Sequence, residues 1–209
     1  MQLNMLIVGF NEQGVDLISK ALTHICSYEN LKIKELKQFL EHPYLNELMA
    51  AEFVHIRIGE GVFSAKTTVN SVDIAIILDY GFVPIISQYV KEKGSYIIIS
   101  DITCMSMNIS WIKSIKNTIL PKIKDSKNIY ILHLSKILNK YGKIFPEHPR
   151  ILQSIAFISA IFKLAILPIE KSSYLIGIKA LTNNEHIINV AKKILMEFNN
   201  YFSEGIVEG

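Results

Sequence analysis

Leu3-Asn4-Met5-Leu6-Ile7-Val8-Gly9-Phe10-Asn11-Glu12-Gln13-Gly14-Val15 opens the chain and decides how the rest is read. A short apolar run ends at Gly9, a polar turn follows, and then Val15, Leu17, Ile18, Ala21, Leu22 and Ile25 recur at helical spacing. Strand, glycine turn, helix is how an α/β nucleotide-type domain begins. Leu31 to Leu36 alternates apolar and charged residues, which predicts a second, more exposed strand. Residues 37–52 carry Pro43 and mixed polarity and read as a short helix or loop.

Farther along, Phe53 to Ile58 and Gly61 to Ser64 flank Gly59-Glu60 and read as a β-hairpin. Val72 to Leu78 and Tyr96 to Ser100 are near-continuous apolar runs, the mark of strands covered on both faces, with a helix over Val83 to Val90 between them. The pattern dissolves from Ile102 to Ile112 and is ambiguous from Ile115 to Ile123. Asn128 to Leu134 reads as a last strand and Leu134 to Tyr141 as a helix stopping at Gly142. Helices follow over Pro149–Leu164, Lys171–Lys179 and Glu185–Phe202. The expected fold is α/β and Rossmann-like: a mostly parallel sheet flanked by helices, with a β-hairpin and a helical C-terminal part. Residues 1–209 count as a single domain, with neither repeats nor a linker.

Composition narrows the function. Half of the 209 residues are apolar, enough for a sizeable core. The net charge of +3 is spread along the chain with no basic stripe, which argues against nucleic acid. The most apolar helical stretch, Ile151 to Pro168, holds Gln153, Ser154, Ser159 and Lys163, so it reads as a core helix rather than a membrane span. No basic region precedes the first apolar run, so the chain is expected to be cytoplasmic. Cys26 and Cys104 are far apart, and a zinc or iron–sulfur site needs about four close ligands. They read as reduced, buried thiols, and no metal is expected on this chain.

Several segments, in order, resemble a known family. Val8 to Val15 resembles the first turn of the gamma subunit, or gamma domain, of pyruvate, ketoisovalerate and related 2-oxoacid:ferredoxin oxidoreductases, where the usual loop is G-x-G-G-Q-G. Val54-His55-Ile56-Arg57-Ile58-Gly59 resembles the family's H-V-R-I-G hairpin, and Val72 to Leu78 its buried strand with an early aspartate. Ile155 to Ile169 resembles its long small-residue helix with a Gly-Leu-Leu-Pro-like exit at Ala165-Ile166-Leu167-Pro168, and Asn189 to Gly205 its terminal helix. The length and the stretch from Ser106 to Gly142 look most like the beta subunit of indolepyruvate oxidoreductases. The resemblance implies a small subunit carrying no cofactor alone, in a complex that uses thiamine diphosphate, Mg²⁺, 4Fe-4S clusters and coenzyme A. It implies as partners the larger subunits that hold those groups and ferredoxin as electron acceptor; the apolar composition, which often needs covering, makes a second copy of the chain in a homodimer a further candidate. No nucleic-acid or membrane partner is expected.

The departures fall in the polar loops. The two glycines before Gln13 are Asn11-Glu12, leaving Gly9 and Gly14. A second segment, M-x-Q-R-G-G in the family, aligns with Leu45 to Ala50, where the arginine is Leu48 and the glycine pair is Met49-Ala50; Glu41 matches the acidic residue that opens it. Glycines in a strand-to-helix turn let backbone N–H groups reach a phosphate, so Gly9, Asn11, Gln13 and Gly14 are the cofactor-binding candidates. Asn11-Glu12 reads equally as an ordinary helix start, and Glu12 would repel an anion.

Other polar residues invite roles of their own. His55 and Arg57 share one face of their strand; Arg57 suits a carboxylate, its fork making bidentate contacts, and His55 has no nucleophile beside it and reads as a core or interface residue. Asp79 sits at the carboxyl end of a buried strand, which makes residues 9–14, 79–82 and 101–105 the default cleft. Glu41, His55, Arg57 and Asp79 are thus interface or ligand candidates, and no residue is assigned to catalysis. Loss of both glycine segments suits a second class of function, a divergent, catalytically inert paralogue serving assembly or binding. A free-standing Rossmann dehydrogenase is disfavoured, because G-x-G-x-x-G is absent and Glu29 and Glu35 are generic.

Overall fold

Met5 to Phe10 is buried without interruption, because a strand covered on both faces gains from an apolar side chain at every position. This strand, β1 (Gln2–Phe10), is the third strand of a seven-stranded sheet. The computed structural model describes residues 2–10, 13–40, 51–60, 71–86, 89–91, 96–102, 128–167 and 169–204, with only the backbone of residues 39 and 40.

After β1 come α1 (Val15–Tyr28), β2 (Lys32–Leu40), β3 (Ala51–Gly59), β4 (Ile74–Ile77), a 3₁₀ turn at Tyr80–Phe82 and the short α2 (Val83–Ile86). Then follow β5 (Tyr96–Ser100), β6 (Asn128–Leu132), α3 (Leu134–Tyr141), α4 (Pro149–Lys163), α5 (Lys171–Leu181), α6 (Glu185–Met196) and β7 (Phe202–Glu204). The strand order is β2-β3-β1-β4-β5-β6-β7. Strands β1, β4, β5 and β6 are mutually parallel; β3 runs antiparallel between β1 and β2, and β7 closes the far edge antiparallel to β6. The expected α/β, Rossmann-like class holds, with a parallel centre and antiparallel margins. Among the described residues no helix is long and apolar enough to cross a membrane.

The hairpin is present with a different partner. Every residue of β3 from Ala51 to Gly59 pairs with β2 on one side and β1 on the other. Both edges are therefore filled, and the hairpin is β2–β3 rather than residues 53–64; residues 61–64 lie outside the described ones. The mixed polarity of residues 37–40 belongs to an edge strand, since Leu36 and Gln38 face solvent. The helix expected over Val83–Val90 is one turn long: Val90 instead forms a bridge with Val72. Cys104, Glu41, Asn11, Glu12 and the segments 103–127 and 205–209 lie outside the described residues.

The chain end also differs from expectation. Helix α6 stops at Met196, a 3₁₀ turn follows at Phe198–Asn200, and Phe202–Glu204 is a strand. Stacking decides this: Phe202 lies 5.1 Å from Tyr130, which lies 6.1 Å from Tyr96, an aromatic row crossing β7, β6 and β5. Glu197 is pinned by Lys140 at 2.6 Å and by the Tyr201 hydroxyl at 2.7 Å, turning the chain out of its helix.

Helices α1, α3, α4, α5 and α6 share the larger core cluster with Met5, Ile7, Val54, Ile56, Ile76 and Ile98. The opposite sheet face joins Leu6, Val8, Phe10 and Ile77 to Phe82, Val83 and Ile86. Helix α4 exits through Ala165, whose φ of 50° puts a non-glycine residue in the left-handed region. That conformation costs an L residue about 1–2 kcal/mol, partly offset in a glycine by its freer unfolded chain. Ala165→Gly should therefore stabilise the fold by about 0.5–1 kcal/mol, seen as a higher denaturant midpoint at constant slope; an unchanged or lower midpoint would count against a left-handed exit.

Candidate functional site

In open α/β sheets ligands gather beyond the carboxyl ends of parallel strands, where the chain changes direction across the sheet. From β1 the chain passes through α1 to β2 and β3 on one side, while β4, β5 and β6 lie on the other. The switch falls between β1 and β4. It gathers four sequence candidates: Gly9, Gln13, Gly14 and Asp79.

Their polar groups are spent on each other. The Phe10 N–H donates to Gln13 Oε1 at 2.9 Å, folding that side chain back across the turn. Gln13 Nε2 donates to Asp79 Oδ2 at 3.4 Å, and the Gly81 N–H donates to Asp79 Oδ1 at 2.9 Å. Asp79 is 0 % exposed and starts the 3₁₀ turn. A Cβ on Gly9 would lie 3.0 Å from Gln13 Oε1, Leu78 Cβ and Val15 Cγ2. Gly14 has φ 86° and backs onto α4: a Cβ there would lie 2.6 Å from Ser154 Oγ and 3.0 Å from the Arg150 carbonyl oxygen. Its retention is explained by packing.

The surrounding charges are mostly carboxylates. Asp16, in the first turn of α1, pairs with Arg150 at 2.7 Å. Glu52 lies opposite Gly9 on β3, 7 % exposed. Burial raises its carboxyl above the ordinary range, and Lys37 at 3.8 Å works the other way. A diphosphate, as in thiamine diphosphate or coenzyme A, needs free backbone N–H groups, open space and cations. Here the Phe10 N–H is engaged, the glycines face protein atoms, and Arg150 and Lys37 lie against carboxylates. The described residues of this turn do not fit that group.

The neighbouring strand ends are used internally as well. Asp101, after β5, accepts from the Ser135 N–H at 3.0 Å with Oδ1 and from the Ser135 hydroxyl with Oδ2, so it holds the start of α3. His133 Nδ1 is 3.8 Å from Asp101 Oδ2, beyond hydrogen-bond reach, and Nε2 meets the Ser203 hydroxyl at 3.2 Å to tie β7 to β6. This is a set of structural ties rather than a relay. Glu35 accepts from the Ser19 hydroxyl at 2.6 Å. Glu29 accepts from the Glu170 N–H at 3.0 Å and from the Ser173 hydroxyl, contacts that hold its carboxyl below the usual range. Burial, with Glu29 beside it, pushes the Cys26 thiol up to about 12, so it is inert.

His55 and Arg57 are not brought to the switch. They lie opposite Leu6 and Asn4 on β1, three and five residues along β3 from Glu52, or ~10 and ~16 Å at the usual strand rise. They share the sheet face opposite α1, as their alternation predicts. Burial, then the nearby Arg57 charge, holds the His55 imidazole below its ordinary pKa, and its buried Nδ1 has no hydrogen-bond partner among the described residues. The Gln13 fold-back and the Asp101–Ser135 tie escaped sequence reasoning, because both link residues through loops whose geometry no periodicity encodes. A serine on the mainly apolar α4 was the available signal for the close approach to Gly14.

Residues 4–197 match the family model described as pyruvate ferredoxin/flavodoxin oxidoreductase. No curated protein matches the sequence. Among solved structures, a pyruvate oxidoreductase subunit from Thermotoga maritima shares the fold at 12% identity and TM-score 0.66, covering 97% of each chain. A keto/oxoacid ferredoxin oxidoreductase gamma subunit from Geobacter sulfurreducens matches at 11% identity and TM-score 0.62, over 94% of this chain and 93% of that one. The 2-oxoglutarate:ferredoxin oxidoreductase from Magnetococcus marinus, solved with 2-oxoglutarate, coenzyme A and succinyl-CoA bound, matches at 10% identity and TM-score 0.67. That match covers 95% of this chain and 30% of the other, so this chain corresponds to one portion of a longer polypeptide.

If packing dictates Gly14, then Gly14→Ala should cost about 2–4 kcal/mol of stability, from the left-handed backbone and the collision with α4. Chemical denaturation checks this; a midpoint within error of wild type would mean that α4 stands farther from the turn.

Proposed function

The chain belongs to the pyruvate ferredoxin/flavodoxin oxidoreductase family, and from that premise we propose that it is the small, cluster-free gamma-type subunit of a thiamine-diphosphate-dependent 2-oxoacid:ferredoxin oxidoreductase. The complex would oxidatively decarboxylate a 2-oxoacid in the presence of coenzyme A. Acyl-CoA and CO₂ are the products, and the electrons released pass to ferredoxin. An aryl 2-oxoacid of the indolepyruvate type is the substrate favoured by the likeness of residues 106–142 to indolepyruvate oxidoreductase beta subunits.

The observation that carries this reading is the family match over nearly the whole chain, combined with a switch region whose polar groups serve packing. Two cysteines are too few for a 4Fe-4S cluster, so thiamine diphosphate, Mg²⁺ and the clusters belong on larger partner subunits in a cytoplasmic complex. His55 and Arg57 suit an interface in this picture, as does a second copy of the chain. The Gln13 side chain, folded back onto the Phe10 amide and reaching Asp79, favours one further reading, a divergent paralogue that keeps the scaffold for assembly without sharing in catalysis.

Gentle affinity purification of the tagged chain from its own cells separates the two. The oxidoreductase reading predicts a stoichiometric larger subunit, brown iron–sulfur absorbance and bound thiamine diphosphate. A colourless chain, alone or with unrelated proteins, would overturn it in favour of the paralogue.

A further inference from the structure

The helical layer carries a groove that the switch region does not explain. It lies where the end of α4, the start of α5 and the end of α6 meet, and encloses about 440 Å³. Phe162, Tyr174 and Leu195 form its apolar floor, and Lys163, Lys171 and Lys192 stand around it. No carboxylate is among the described residues that line it. Of the nearby acids, Glu29 is bound by Ser173 and the Glu170 amide, Glu197 by Lys140 and Tyr201, and Glu170, beside Lys171 in the chain, accepts from the Ser172 hydroxyl at 3.4 Å. Among the described residues the three lysines form no ion pair. Lys171 also begins α5, the helix end where a cation is least favoured.

Met196 extends the apolar surface to the outside. It is 82 % exposed, the most of any large hydrophobic side chain among the described residues. On the other flank of α6 a second depression is lined by Phe145 and Ile144, the latter 60 % exposed, and shares Lys192 with the first. An exposed apolar strip edged by cations of one sign marks a protein contact. Flexible lysines over an apolar floor, with no arginine, give charge complementarity to carboxylates and a pocket for an apolar anchor.

Resting on the subunit reading above, we infer that this groove docks an acidic segment of the larger subunit whose apolar side chain seats against Phe162, Leu195 and Met196. The lysines steer and hold the carboxylates; Met196 is covered in the complex.

The test compares the purified complex with one containing the triple variant Lys163→Glu, Lys171→Glu, Lys192→Glu. All three side chains are exposed, so the variant is expected to keep the circular dichroism spectrum and melting temperature of the wild type. Lys20→Glu, at an exposed position of α1, is the charge control. The expected result is association with the larger subunit at least roughly tenfold weaker at about 0.15 M salt for the triple variant, unchanged for the control, with wild-type association weakening as salt rises. Met196→Ala should weaken association while retaining the salt dependence. A triple variant that binds the larger subunit as tightly as wild type overturns the docking site and leaves the subunit reading standing. A wild-type chain that holds no such subunit overturns both.

Discussion

Helix α1 is gripped at both ends by approaches too close to admit a side chain. At its start Gly14 abuts Ser154 and the Arg150 carbonyl of α4, and the Asp16–Arg150 ion pair closes the same corner. Near its other end Gly177 of α5 meets Ile25, where an added Cβ would lie 2.6 Å from Cδ1 and 2.7 Å from Cγ1. The Glu29 carboxylate, bound by Ser173 and the Glu170 amide, ties the following turn to α5. Close packing of this kind tolerates little change in volume. It sets where α1 begins, and so the shape of the turn from β1.

That constraint bears directly on chemistry. With α1 clamped, the described residues of the turn after β1 are engaged among themselves: Gln13 takes the Phe10 amide and reaches Asp79, while Gly9 is enclosed by Leu78 and Val15. A phosphate-binding turn needs those amides and that space. The fold of a ligand-binding domain is retained while the switch region works as structure. In a multi-subunit oxidoreductase this suits a component that orders and covers its neighbours while cofactors sit elsewhere. The lysine-edged groove on the helical layer gives such a component a surface for contact.

Much of the scaffold could be read from the chain alone. Strands β4 and β5 announced themselves as runs buried on both faces, β1 as a short apolar run and β3 as one arm of a hairpin, and α1, α3, α4 and α5 by periodicity. The errors share a cause: partners distant in sequence override local pattern. Val90 left its helix to bridge Val72, and Phe202 left its helix to stack on Tyr130. β3 turned to β2 instead of the residues after Gly59, because β1 held its other edge. At the switch, the proximity of Gly9 and Gln13 to Asp79 followed from strand ends alone. That Gln13 would close the turn did not, since a side-chain amide reaching its own backbone leaves no mark in spacing. Alternation put His55 and Arg57 on one face of their strand; their distance from the cleft is a matter of register that alternation cannot specify.

The most direct measurement of this account is to titrate the isolated chain with coenzyme A, and separately with thiamine diphosphate and Mg²⁺, while following backbone amide NMR shifts. A turn filled by its own side chains predicts no saturable change at Phe10, Gln13, Gly14 or Gly81 at millimolar ligand. Saturable shifts confined to those amides would contradict it and return the turn to the role its glycines once suggested.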